Sequence, residues 1–165
     1  MLEEYVQPNV IAEIGCNHKG DMVIAKKLLD IAAESGVQIV KFQKRTNKEL
    51  LTKEQYNAPH PNPIHAYGTT YGEHREFLEF DVDQHKELKL YAENLGMIYS
   101  SSVWDVTAAK EIISLKPDFI KVPSACNNHF KMLQVLRDEY NGQVHISFGM
   151  TKRQEEEAIV LFFEE

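Results

Sequence analysis

Two lysines stand in stretches that otherwise read as buried strand. Lys41 alternates with Val40 and Phe42 in VQIVKFQ, and Lys121 alternates with Ile120 and Val122 in DFIKV. An ammonium group inside an apolar strand is costly unless an anion or a carboxylate pairs with it. The bland alternative is that each lysine snorkels to solvent from a strand end. Two lysines at matching positions, accompanied by hydroxyls and amides, favour a pocket for phosphate or carboxylate. The strand period places Lys41 and Gln43 on one face and Val40 and Phe42 on the other. The hydroxyls are Ser100, Ser101 and Ser102 after a third apolar run, Ser124 after Lys121, and Ser147. Glu13 sits in VIAEIG, where a carboxylate needs a partner. It reads either as a structural ion pair with Lys41 or as a strand-end acid, base or sugar-hydroxyl acceptor. Asn17 and His18 follow the same run, and a histidine there serves either a hydrogen-bonding role or the site.

Other chemistries find no pattern. His60, His65, His74 and His85 lie in or beside one long segment, without the spacing of a metal motif. Cys16 and Cys126 make no CxxC pair, read as small packed residues, and suit a reducing compartment. There is no Walker motif, GxGxxG or GxSxG, which weakens nucleotide-binding, kinase and serine-hydrolase readings. The net charge of −7 argues against a nucleic-acid partner but leaves a small anionic substrate open. No apolar run reaches the roughly 18 residues of a membrane span. The first ten residues lack the basic and apolar regions of a signal peptide, so a cytoplasmic location is expected.

The elements that must position these residues follow a regular alternation. Strands are expected at Asn9–Gly15, Val37–Gln43, Met97–Ser101, Asp118–Val122 and Val144–Phe148. Helical spacing falls at Asp21–Ser35, Asp83–Leu95, from Asp105 to about Leu115, and at Phe130–Tyr140. Thr151 and Gln154 suggest a capping box for a last helix, with Glu155, Glu156 and Glu157 in its first turn. Residues 47–82 interrupt the rhythm with no long periodic pattern. A connection of that length is usually a functional loop, and its aromatic residues favour an ordered one.

Strands alternating with helices mean a parallel sheet with right-handed crossovers. Two architectures fit: a five-stranded doubly wound sheet, or about the first five βα units of an eight-stranded β/α barrel. A barrel usually takes about 250 residues, and this chain has 165, closing on the apolar run Ile159–Phe163. That favours the barrel portion. In both architectures the site lies at the C-terminal ends of the strands.

Five segments at five strand ends resemble one family. They are IAEIGCNHKGD (Ile11–Asp21), VKFQK (Val40–Lys44), YSSSVWD (Tyr99–Asp105), FIKVPSACNN (Phe119–Asn128) and SFGMT (Ser147–Thr151). In this order they look like the sialic acid synthases, which include N-acetylneuraminate, legionaminate and pseudaminate synthases. YGEHREFLEF (Tyr71–Phe80) resembles a bacterial branch of the same family.

The resemblance implies a (β/α)8 barrel that condenses phosphoenolpyruvate with N-acetylmannosamine or a related N-acetylated aldose. The implied products are a nine-carbon 2-keto acid and phosphate. By motif, Glu13 is similar to the residue contacting the sugar and the reacting centre. Lys41 and Gln43 match residues holding phosphoenolpyruvate, and Ser102 matches the hydroxyl after the third strand. Lys121 and Ser124 resemble the pair on phosphate and carboxylate oxygens, and Ser147 resembles the serine of STGM. With Glu13, Lys41 and Lys121 as catalytic residues, the substrate-binding set becomes Gln43, Ser102, Ser124, Ser147, Asn17 and His18. The chain reads SACNN where many relatives read SGECNN, and SFGM for STGM. The resemblance also implies a divalent metal, Mn2+ or Mg2+, with ligands beyond residue 165, a C-terminal antifreeze-like domain beyond it too, and a homodimer at full length.

Overall fold

The computed structural model describes residues 6–164. Five strands form one parallel sheet in the order of the chain: β1 (Ile11–Glu13), β2 (Ile39–Lys44), β3 (Ile98–Val103), β4 (Phe119–Val122) and β5 (Gln143–Ile146). Helix α1 (Met22–Glu34) joins β1 to β2. Four helices, α2 (Asn47–Leu50), α3 (Lys53–Asn57), α4 (Tyr71–Leu78) and α5 (Val82–Asn94), lie between β2 and β3. Then α6 (Val106–Ser114), α7 (Phe130–Glu139) and α8 (Arg153–Glu164) follow β3, β4 and β5 in turn.

That succession decides between the two architectures. A doubly wound sheet reverses its strand order at a switch point and is covered on both faces. Here the order never reverses, and helices pack on one face. Val40, Phe42 and Tyr99 meet Ala25, Leu29, Leu88 and Ala92. Val103, Ile120 and Val122 meet Ile112, Met132, Leu133 and Leu136. On the opposite face Ile11 and Ile98 remain 41% and 38% exposed. Sequential order with one-sided cover is the wall of a β/α barrel, here five βα units of it.

The helix starts follow their capping chemistry. Asp21, Asp81 and Asp105 cap α1, α5 and α6, each accepting backbone N–H groups that the first turn leaves unpaired. Asp105 also accepts from the Thr46 N–H at 2.6 Å, which ties the end of β2 to the start of α6.

Four expectations are corrected. Residues 47–82 are not one loop: they hold α2, α3 and α4, with a 3-10 turn at Pro63–His65. Each piece is too short to show a hydrophobic period, yet Thr52–Gln55 and Thr70–Glu73 are complete capping boxes. Gly72 lets α4 lie on α3, because a Cβ there would fall 2.3 Å from the Tyr56 ring. Strand β1 is shorter than expected, since it pairs only with β2 and Gly15 turns the chain at φ +50°. Strand β3 pairs on both sides and runs on to Val103, so the three serines lie within it. At α8 the cap is displaced. The Thr151 hydroxyl donates to Phe148 O at 2.7 Å in the preceding turn, and Glu155 accepts from the Lys152 N–H instead. No helix among the described residues is long and apolar enough to cross a membrane.

Candidate active site at the strand ends

Rows of side chains cross the open face of the sheet. The register places Ile11 beside Ile39 and Ile39 beside Ile98. One step along, Glu13 lies beside Lys41 and Lys41 beside Ser100. The last row runs Gln43, Ser102, Lys121, His145 across four strands. Polarity therefore rises from an apolar floor toward the C-terminal strand ends, where barrel sites are built.

The polar rows are hydrogen-bonded into one cluster. Lys41 forms an ion pair with Glu13, and its Nζ donates to Ser102 Oγ at 3.1 Å. Gln43 Nε2 donates to Glu13 Oε1 at 2.8 Å. Both readings of Glu13 thus converge on one place: it is paired with Lys41, and its side chain keeps 44% exposure on the open face. Ser124 and Ser147 belong to a clasp between the ends of β4 and β5. Ser124 Oγ accepts from the Gly149 N–H at 3.2 Å. The Ser147 N–H donates to Val122 O at 3.0 Å, and Asn127 Nδ2 donates to Ser147 O at 2.9 Å. Ser147 lies just past β5 rather than within it.

The electrostatics suit an anion. Burial holds Lys41 below its usual range, at about 8, helped by the Lys121 and Arg45 cations. Lys121 is lowered by burial in turn, against the charge of Cys126. Two partly desolvated ammonium groups that repel each other gain from a polyanion between them, because it restores the solvation each has lost.

Not every expected residue joins this cluster. His18 is 2% exposed and stacks on Phe80 with ring centroids 4.0 Å apart. Its Nδ1 accepts from the Gly20 N–H, and burial depresses it to about 4, so it stays neutral. The turn after β1, with Lys19 and Gly20 at positive φ, carries His18 to the Phe42 side of the sheet, under the helices. Asn17 is exposed in that turn, its N–H on Ile14 O.

Three neighbours went unread in the sequence. His145 lies beside Lys121 and stacks on Phe119 at 4.5 Å; the alternation Val144, His145, Ile146 carried that signal. Arg45 follows β2 directly and is 8% exposed. It meets the Glu79 carboxylate at 3.2 Å, the Gln43 amide oxygen, and the Trp104 ring face at 4.3 Å. Glu79 follows a short helix without periodicity and gave no signal. Among the described residues no three His, Cys, Asp or Glu side chains gather as a metal site would require.

The comparisons with known proteins agree with this fold. The NeuB family profile matches residues 28–165. The chain is 38% identical over 141 residues to the N-acetylneuraminate-9-phosphate synthase of Homo sapiens, covering 86% of the chain and 39% of that protein. It is 32% identical over 151 residues to the N,N'-diacetyllegionaminic acid synthase of Campylobacter jejuni, covering 91% and 45%. The chain thus spans less than half the length of these relatives. Among solved structures, the sialic acid synthetase of Leptospira borgpetersenii superposes with a TM-score of 0.76 at 21% identity, over 98% of this chain and 55% of that one. The DAHP synthase of Thermotoga maritima superposes with a TM-score of 0.61 at 12% identity, over 94% and 38%. Both likenesses speak to the fold.

Proposed function

Since the chain belongs to the NeuB family, we propose that it supplies the phosphoenolpyruvate-binding half of a sialic-acid-type synthase. The observation that carries this reading is the Lys41–Glu13–Gln43–Ser102 cluster beside Lys121 on the open face. Phosphoenolpyruvate presents a phosphate and a carboxylate, which call for two cations and several hydroxyl donors. Lys41 and Lys121 hold those anions, and Ser102, Ser124 and Ser147 complete the oxygen contacts.

In the proposed reaction, C3 of phosphoenolpyruvate attacks the aldehyde carbon of an open-chain N-acetylated aldose. The aldehyde oxygen takes up a proton and becomes a hydroxyl. Water adds at C2 and loses a proton; the new C2 hydroxyl then gives up its remaining proton to the departing phosphate as the bond between C2 and the phosphate ester oxygen breaks. Inorganic phosphate leaves and a 2-keto acid remains. The lysines act through position and charge, with no covalent intermediate. Glu13, exposed beside the cluster, is placed to accept the proton of the attacking water or to hold a sugar hydroxyl. The divalent metal that the resemblance implies finds no set of ligands among the described residues, so no step here runs through it.

The test is a phosphate-release assay on the full-length protein with phosphoenolpyruvate and an N-acetylated aldose, with mass spectrometry of the product. Phosphate released only when both are present, together with a nine-carbon keto acid, is the expected result. Release without the aldose, or none with a panel of N-acetylated hexoses, overturns the reading.

A further inference from the structure

The Gln43 amide has only one chemically allowed orientation. Its nitrogen donates to the Glu13 carboxylate, and its oxygen accepts from Arg45 Nη2. Rotating the amide by 180° would set NH2 against a guanidinium and oxygen against a carboxylate, so both contacts would turn repulsive. Arg45 is itself immobilised. Its Nη1 meets Glu79 Oε1 at 3.2 Å and Cys16 Sγ at 3.6 Å, and its own N–H donates to Glu79 Oε2 at 3.1 Å. Its guanidinium lies on the Trp104 ring. Arg75 braces Glu79 from one helical turn away, at 3.8 Å. The Glu79 side chain is 8% exposed, so it spends its charge on these arginines rather than on solvent.

We propose that Arg45 is a positioning residue: clamped by Glu79 and Trp104, it fixes the Gln43 amide and through it the placement of Glu13 beside Lys41. The inference rests on the synthase reading above. A chain of contacts runs from Glu79, behind α4, through Arg45 and Gln43 to Glu13, Lys41 and Ser102. The segment between β2 and β3 thereby acts on the site without entering it. The geometry needs an arginine, because one planar fork must serve Gln43, Glu79 and Cys16 at once; a lysine ammonium on its flexible stem cannot.

The test uses Arg45→Lys, Arg45→Met and Glu79→Gln in the full-length protein, with phosphate release as the readout. All three are expected to lower kcat by about tenfold or more while KM for phosphoenolpyruvate stays within about twofold. A second readout separates positioning from mere folding. The charged groups facing Lys41 are Glu13 from β1, Lys121 from β4 and Arg45 beyond β2. Removing the Arg45 cation in Arg45→Met moves the alkaline limb of the rate profile to higher pH, whereas Arg45→Lys keeps it. Should Arg45→Met fail to fold, the isosteric Glu79→Gln carries the same kcat test. Wild-type kcat in Arg45→Lys and Glu79→Gln, or losses that track only the folded fraction, overturn the positioning role alone. A wild-type protein that releases no phosphate overturns the synthase reading, and this inference with it.

Discussion

Lys41 and Lys121 stand on the same open face of the sheet, on the strands to either side of Ser102. Lys41 reaches Ser102 Oγ through its Nζ, and Lys121 is the register partner of Ser102 across β4. The serine thus lies in a cationic gap that neither lysine creates alone.

Lys121→Ala is expected to lower kcat/KM for phosphoenolpyruvate by at least about 100-fold, because the anion loses one of its two cations in a partly desolvated site. Phosphate release measured across a substrate series checks this. Near-normal turnover would remove Lys121 from the assigned role.

Activity is expected to fall as pH rises through about 8. In the proposed role Lys41 binds the anion only while charged, and burial with the Lys121 and Arg45 cations has lowered it to about that value. Lys41→Arg keeps its charge far above that pH, so the limb shifts upward even if the rate drops. A rate profile from pH 6 to 10 on both proteins decides it; an unmoved limb assigns the titration to another group.

Acid is expected to destabilise the fold through His18 and His85. Burial lowers both, to about 4 and about 3, from 6.5. The unfolded chain therefore binds protons that the folded one refuses, and stability falls as pH drops below about 6.5 and goes on falling to those values. At pH 5 each histidine costs about 2 kcal/mol relative to neutral pH. Urea midpoints at pH 7 and pH 5 should separate, and His18→Gln should narrow the gap. A gap of the same size in the variant would clear His18 of the effect.

Gly20→Ala is expected to cost about 1–3 kcal/mol. Gly20 has φ +70°, and an added Cβ would lie 2.2 Å from the Phe77 carbonyl oxygen, which is backbone and cannot swing aside. Thermal unfolding of the variant measures it. An unchanged midpoint would mean that the turn after β1 moves freely against α4.

Much of this was legible because it obeys short-range rules. The strand period separated Lys41 and Gln43 from Val40 and Phe42, and the sheet keeps that division. Asp105 announced α6 by the chemistry of unpaired N–H groups. What escaped depends on long-range contact. Arg45 and Glu79 are 34 residues apart in sequence, and no local pattern foretells their meeting. His18 looked like a strand-end polar residue, yet the two positive-φ positions that follow it carry its ring into the Phe80 layer. Helices of one or two turns, such as α2 and α3, are shorter than the window in which periodicity can be seen.

Alternation along β2 also governs how such a protein can change over generations. Even positions Val40 and Phe42 are spoken for by packing, while odd positions Lys41 and Gln43 stand in the polar cluster on the open face. Point substitutions at odd positions can retune the chemistry without disturbing the helices behind. A single inserted or deleted residue has no such freedom, since it exchanges the two sets wholesale, driving ammonium groups into the core and aromatic rings into the site. Lineages built on this wall should therefore diverge within β2 by replacement, and vary in length only where the ladder ends.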